Sequence, residues 1–286
     1  MMQELKDYEQ WDEVIKPKNR LFDIHLGELW RYRDLLMLFV KRDFVSLYKQ
    51  TILGPLWYLI QALLTTITFT LIFGKVAKLP TDGVPQVLFY MAGIVCWSYF
   101  SQCLMKTSNT FVTNASIFGK VYFPRMAVPV SIIISNLVGF LIQLLMFLCF
   151  LFYFYLQGMP VHLNYALLLF PILIILMAGM GLGLGIIISS LTTKYRDLQN
   201  LVVFGVQLLM YATPVIFPLS FFGGKLRTIV LLNPMTSIVE TFKFAFLGSG
   251  TFSWAYLGYS ACFTIIILFI GVLLFNKVEK SFMDTV

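Results

Sequence analysis

The chain has 286 residues, 59% of them apolar and 12% charged, whereas soluble domains run near half apolar and a quarter charged. A water-soluble globule of this length needs a polar coat that these residues cannot supply, so a bilayer is expected to solvate the surplus apolar surface. The formal charge of +7 is divided among segments separated by apolar runs, which suits anionic lipid and argues against a nucleic-acid partner.

Residues 1–50 are polar and charged, with no short basic stretch, apolar core and cleavage site, so the first apolar run is expected to stay as a membrane anchor. Within them Leu29, Leu36, Phe39, Val40, Phe44 and Leu47 share a helical stripe, with Arg31, Arg33, Lys41, Arg42 and Lys49 around it. That pattern predicts an amphipathic helix lying in the headgroup layer of a cytoplasmic N-terminal segment. Residues 51–286 then form the transmembrane domain.

A helical span needs about 20 apolar residues, and charges delimit the candidates. Uncharged runs predict spans near 52–74 and 86–105. Met126 to Thr193 is long enough for two passes joined at Gln157-Gly158-Met159-Pro160, and further spans are expected from Leu198 to Phe217 and from Phe252 to Phe275. Pro218 to Thr251 carries Lys225, Arg227, Glu240 and Lys243 and is read as short re-entrant helices, begun at Asn233-Pro234. The fold class is therefore all-α, a polytopic membrane protein of six spans. With six spans, 16 of the 21 Lys and Arg fall on the side of the two termini, which the positive-inside rule places in the cytoplasm.

No phosphate-binding loop occurs: around Gly119-Lys120, Asn114 and Val121 stand where Gly and Ser or Thr are required. The chain is not expected to hydrolyse ATP. The six runs hold no Asp, Glu, Lys or Arg for ion coupling, His25 and His162 are isolated, and no carboxylate pair or metal-ligand spacing is present. No catalytic residue and no metal site are assigned. The four cysteines lie in apolar runs, with no bridge framework.

The spans do carry neutral polar and aromatic faces. Trp57, Gln61, Thr65 and Thr68 fall on one face of span one; Asn200, Phe204, Gln207 and Tyr211 fall on one face of span five; span two adds Tyr90 and Trp97. Such a face avoids lipid. Two readings stand side by side: hydrogen bonding between helices, or a passage for a neutral, hydroxyl-rich cargo such as a sugar chain, which stacks on aromatic rings. In span four Gly181 and Gly185 form a small-xxx-small pair, expected to seat another helix.

The runs Lys41-Arg42-Asp43-Phe44 and Tyr48-Lys49-Gln50-Thr51-Ile52-Leu53-Gly54-Pro55-Leu56-Trp57 resemble the membrane subunit of type-2 ABC polysaccharide exporters, which move O-antigen, capsule or teichoic acid chains. Lys120-Val121-Tyr122-Phe123-Pro124-Arg125, Tyr195-Arg196-Asp197, Thr213-Pro214-Val215 and Asn233-Pro234-Met235 follow in the family's order, and the likeness covers nearly all of the chain after residue 25. The resemblance implies a homodimer bound to two copies of a separate ATPase subunit that holds ATP and Mg, with no cofactor in this chain. It implies that spans one and five line a translocation channel. It also implies that Asn114 to Arg125, including Lys120, forms a coupling helix seated on the ATPase, assisted by Tyr195, Arg196 and Asp197, and that the segment holding Asn233, Pro234 and Glu240 is an external gate.

In similar exporters the turn matching Leu53-Gly54 helps receive a polyprenyl pyrophosphate; Arg42 and Lys49 lie near it in sequence and suit either that group or ordinary anionic lipids. The cargo implied is a polyprenyl-pyrophosphate-linked polysaccharide crossing a bacterial inner membrane. A drug or hydrophobic lipid carried by the same kind of permease is the alternative, and a membrane enzyme working on polyprenyl glycans through Glu240 or Asp197 is a third.

Overall fold

A computed structural model describes residues 26–49, 53–118, 120, 123–159, 164–193, 195 and 197–285. Among them there is no strand. Two helices, α1 (Leu26–Arg31) and α2 (Arg33–Lys49), precede α3 (Leu56–Phe69), which continues as a π-helical stretch through Val76. Next come α4 (Gln86–Ser108), single-turn α5 (Thr110–Thr113) and α6 (Ala115–Phe118), and α7 (Ala127–Leu156). A 3-10 turn over Tyr165–Leu169 leads into α8 (Phe170–Thr192), followed by α9 (Leu198–Tyr211), α10 (Gly224–Leu232), α11 (Pro234–Leu247) and α12 (Trp254–Thr285).

Five helical segments are long and apolar enough to cross a bilayer: Leu56–Val76, Gln86–Ser108, Ala127–Leu156, Tyr165–Thr192 and Trp254–Val278. Their positions follow the uncharged runs. The predicted fifth span departs from expectation. Its helix α9 has 14 residues, or roughly 21 Å at 1.5 Å per residue, short of a hydrocarbon layer of about 30 Å. The helix stops because Pro214 lacks an amide proton and disfavours helical geometry at Thr213. The chain continues to Phe217 in turns, and Val215 and Ile216 are fully buried, so this irregular backbone is covered by protein. Helices α10 and α11 meet at a bend of 97°, a broken span or re-entrant pair in the region expected to dip into the membrane.

Helix α4 is the most buried of the long helices. Helix α8 lies against it through Gly181 and Gly185: a Cβ on the first would stand 2.7 Å from Cys103 Cβ, and on the second 2.6 Å from Thr107 Cβ. The alternate pair, Gly179 and Gly183, faces α12, where added Cβ atoms would stand 2.8 Å from Thr264 and Ile267. The small-xxx-small pair thus seats a neighbouring helix, and a second pair two residues away seats another on a different face.

The stripe on α2 does not lie wholly on lipid. Phe39 is buried, and its ring is 5.6 Å from that of Phe123, while Leu36, Val40 and Phe44 are half-buried. The side chains of Leu29 and Leu47 lie outside the described residues. Met37 and Leu38 are exposed beside Lys41 and Arg42, which leaves α2 an apolar and basic outer surface.

Helix α11 is clasped to the turn that follows α9. Asn233 caps α11 by accepting from the Met235 amide (3.1 Å) and donates through Nδ2 to Thr213 Oγ1 (2.8 Å). Lys243, fully buried, donates from Nζ to the Pro214 carbonyl (2.6 Å) and lies 3.4 Å from the centroid of the Phe89 ring on α4. Gly93, one turn along α4, leaves room for the Val215 backbone, whose Cα would be 3.0 Å from an added Cβ.

Gly185→Leu is expected to destabilise the protomer by about 1–3 kcal/mol or more through overpacking against Thr107, whereas Gly205→Leu, where an added Cβ meets nothing within 4 Å, should leave the detergent melting temperature nearly unchanged. Lys243→Met keeps length but removes the donor to the buried Pro214 carbonyl, and should cost about 1–3 kcal/mol in the same melting assay.

Candidate functional site

Three regions of the chain hold the residues singled out in the sequence. The first is the pair of peripheral helices α3 and α9. On α3, Ala62, Thr66 and Phe69 face inward, while Trp57 (49% exposed), Gln61 and Thr68 face outward and Thr65 is half-buried. The Thr65 hydroxyl donates to the Gln61 carbonyl (2.8 Å), so its proton is already used within the helix. On α9, Val202 and Val206 face inward and Asn200, Phe204, Gln207 and Tyr211 face outward. Both helices pack on α4, and their far ends meet where the Phe73 and Phe217 rings are 6.5 Å apart.

Tyr90 and Trp97 do not join these faces. Tyr90 is fully buried with its ring edge-on to Phe69 and Phe89, and Trp97 is buried against Phe100. They are core residues of α4, because the helix is surrounded on nearly every side and its aromatic rings fill the packing. The expectation that they line a channel is corrected accordingly.

The second region gathers the ends of α4, α8 and α12. The Phe111 amide donates to Ser189 Oγ (3.3 Å) and Thr192 Oγ1 donates to the Ser108 carbonyl (3.3 Å), so the end of α4 with the segment after it and the last turn of α8 form one platform. An aromatic cluster runs through it. Phe111 stacks on Phe275 of α12 at 4.6 Å and packs edge-on to Phe118 at 5.8 Å; Phe118 meets Phe123 at 5.8 Å, and Phe123 meets Phe39 of α2.

Two residues expected at a docking surface are instead interior to this platform. Asn114 is buried, its Nδ2 donating to the Thr110 carbonyl (3.0 Å) at the break between α5 and α6. Arg125 is also buried, with its guanidinium 5.7 Å from the Phe118 ring centroid. Among its described residues the segment forms two single turns rather than one helix; Asn114 ties the second turn to the first, and Arg125 packs on the aromatic cluster. Among its described residues, those exposed are Val112, Thr113, Ser116 and Lys120. Of these only Lys120 stood out in the sequence, although 112, 116 and 120 share a four-residue spacing. Tyr195 and Asp197 are exposed beside the platform, and Arg196 lies outside the described residues.

The turn into α3 belongs to the same end. Gly54 has φ +47°, a conformation that favours glycine, and the amides of Leu56 and Trp57 donate back to Leu53 and Gly54. Leu53 and Lys49 are exposed. Arg42 is engaged: its Nη2 lies 2.8 Å from Asp43 Oδ1, and its guanidinium is 5.0 Å from the Phe39 ring centroid. An incoming anion would have to share Arg42 with Asp43.

The third region is the bend between α10 and α11. Besides the Asn233 and Lys243 contacts, Pro234 presents its carbonyl to Ser260 Oγ (2.7 Å). Glu240 is buried, and its Oε2 accepts from the Thr251 amide (3.0 Å) and hydroxyl (3.3 Å). It ties the loop before α12 to α11, a fixed structural contact. Lys243 and Thr213, noted in the sequence as a charge in the re-entrant segment and as part of a motif, were given no role there; a Lys inside an apolar helix together with a Thr-Pro turn is the signal that was available. No group of three or more His, Cys, Asp and Glu among the described residues is arranged to hold a metal ion.

Residues 34–247 match the family described as ABC-2 type transporter. Over 260 residues the chain is 28% identical to the O-antigen export system permease protein RfbA of Klebsiella pneumoniae, covering 91% of this chain and 96% of that one. It is 29% identical over 222 residues to the protein of the same name in Myxococcus xanthus, covering 77% and 82%. It is 23% identical over 237 residues to the polysialic acid transport protein KpsM of Escherichia coli, covering 82% and 89%. With about three quarters of its length inside the family match and five helices able to cross a bilayer, the chain is an integral membrane transport subunit and belongs to the ABC-2 type transporter family.

Proposed function

We propose that this chain is the channel-forming permease of an ATP-driven exporter that moves a polyprenyl-pyrophosphate-linked polysaccharide, such as an O-antigen, outward across a bacterial inner membrane. The observation that carries the reading is the pair of uncharged aromatic and polar faces, Trp57–Gln61–Thr68 on α3 and Asn200–Phe204–Gln207–Tyr211 on α9, turned outward from the protomer. Against lipid, the amides of Gln61, Asn200 and Gln207 would forfeit hydrogen bonds costing several kcal/mol each. Against the same faces of a second copy they would border a passage whose rings stack sugar C–H faces and whose amides bond sugar hydroxyls. The functions borne by the named relatives in Klebsiella and Myxococcus support the cargo class.

In this reading two copies of the chain join two copies of a separate ATPase, which supplies ATP and Mg. Both termini and the platform face the cytoplasm, in accord with the placement of Lys and Arg. Closure of the ATPase dimer presses on the exposed face of residues 112–120 and on Tyr195 to Asp197. The Leu53-Gly54 turn with Lys49 receives the lipid pyrophosphate, and α11 closes the outer end. The chain itself binds, guides and moves; the hydrolytic chemistry belongs to the partner.

The test is reconstitution of the chain with its ATPase in vesicles loaded with a polyprenyl-linked glycan. Glycan-stimulated ATP hydrolysis and glycan transfer are expected, and a complex that binds and moves no such glycan would remove the reading. Gln207→Leu combined with Tyr211→Leu should reduce glycan transfer at least about tenfold, on the scale of one or two lost hydrogen bonds, with an unchanged melting temperature. If transfer of an apolar cargo is present and survives while no glycan moves, the cargo is a drug or lipid instead.

Docking separates from folding in a second pair of variants. Lys120→Glu, on the exposed face, should weaken co-purification of the ATPase without lowering the melting temperature. Arg125→Glu buries a carboxylate against Phe118 and should lower the melting temperature whether or not the partner is present.

A further inference from the structure

At the end of the helices opposite the platform, one face of α10, the loop before α12 and the first turn of α12 border an open cleft of about 310 Å3. That volume is at the lower bound of small-molecule sites, roughly 300–1,000 Å3, and suits one monosaccharide. Arg227 is its only charged lining residue. Hydroxyls line it from two sides, Thr228 on α10 and Thr251, Ser253 and Tyr256 on the facing segment. Leu219, almost wholly buried, provides apolar wall from the segment that follows α9.

The facing wall is held in place from behind. Gly250, at φ +106°, turns the loop back over α11, where the Thr251 amide and hydroxyl both donate to the buried Glu240. Phe252 is stacked on Phe244 (5.9 Å, 14°) and wedged by Trp254 (5.0 Å, 74°), so its ring is fixed too.

We propose that this cleft binds one acidic sugar residue of the emerging chain, its carboxylate on Arg227 and its hydroxyls on the Thr, Ser and Tyr side chains. A guanidinium takes a planar oxyanion through two parallel hydrogen bonds, and fixed aromatic rings next to hydroxyls suit a pyranose. An oxyanion on a hydroxylated body is also the chemistry of a glycerophosphate headgroup, but the number of hydroxyls and the two aromatic residues favour the sugar. The proposal rests on the polysaccharide reading and adds to it a site for one residue of the cargo beyond the channel faces.

The test uses the full chain with its ATPase in phosphatidylcholine nanodiscs and tritiated glucuronate as probe in equilibrium dialysis. Saturable binding of one glucuronate per protomer is expected. Arg227→Gln should weaken it at least about tenfold, the scale of a lost charged hydrogen bond, and Thr228→Val should weaken it less. Lys225→Gln, a neighbouring cation that does not line the cleft, should bind as the parent does. Absence of saturable binding, equal binding by Arg227→Gln, equal loss in Lys225→Gln, or displacement by glycerol 1-phosphate below the concentration at which glucuronate itself competes would each overturn the assignment, the last in favour of a lipid headgroup. Glycan-stimulated ATPase is measured on the same nanodiscs. If it is present without glucuronate binding, the cleft alone fails; if glucuronate binds but no glycan stimulates hydrolysis, the export reading fails and the cleft stands.

Discussion

The close approach of α8 to α4 on one face and to α12 on another is the contact on which the protomer depends. In a bilayer, lipid tails are as apolar as side chains, so helices gain little by hiding from their surroundings and associate through packing and hydrogen bonds. Four glycines on α8 supply that packing, Gly181 and Gly185 against Cys103 and Thr107, Gly179 and Gly183 against Thr264 and Ile267. Gly271 of α12 answers from the other side, where an added Cβ would meet Ile186 at 2.7 Å. With α4 enclosed in this way, α3 and α9 are left at the rim, each holding on by a narrow inward seam. Their remaining surface is free to differ in chemistry from the core because the core does not need it.

The end where α9 meets α11 follows from a second constraint, that every backbone polar group within a membrane must find a partner. Ending α9 at Tyr211 frees carbonyls and amides in mid-membrane, and the structure covers them with α11. Asn233 donates to the Ala212 carbonyl (3.4 Å), and Lys243 donates to the Pro214 carbonyl. A buried ammonium would itself be costly, but it has a carbonyl at 2.6 Å and the face of Phe89 at 3.4 Å, with Glu240 one turn away on the same helix. The same contacts make the end of α9 and the re-entrant helix a single mechanical unit. Any displacement of one carries the other.

Much of the architecture was legible because charge is so expensive inside a bilayer that it marks boundaries sharply. The runs bounded by Lys49, Lys75, Asp82 and Lys106, and the Gln157-Gly158 turn, place helices to within a few residues of where they lie. Burial within the protein was much less legible. Tyr90 and Trp97 carry the same aromatic signal as Phe204 and Tyr211, yet the first pair is interior to α4 and the second lies on an outer face. Hydropathy cannot separate the two cases, since lipid, protein core and a sugar passage all accept an aromatic ring. Arg125 misled in the opposite direction: a charge next to a predicted loop reads as surface, but its guanidinium packs on Phe118 beneath the platform. The length of α9 was hidden because Thr213-Pro214 interrupts helix geometry without interrupting hydropathy.

The platform explains how a push at one end of the molecule could move helices without any chemistry in this chain. Phe111, Phe118, Phe123 and Phe39 form a contiguous series of ring contacts from the segment after α4 to α2, and Phe111 also stacks on Phe275 of α12. Close-packed rings of this kind are stiff, because a gap of even half an ångström forfeits much of their dispersion energy. On the export reading, force applied to the exposed residues between Val112 and Lys120 reaches α2 and α12 together. Helix α2 precedes the Gly54 turn that opens α3, and the far end of α3 meets the segment after α9 at Phe73 and Phe217. The two rim helices therefore touch at one end, where Phe73 meets Phe217, and α3 is connected at its other end to the platform through α2, with the glycine-packed α4, α8 and α12 as the frame between them.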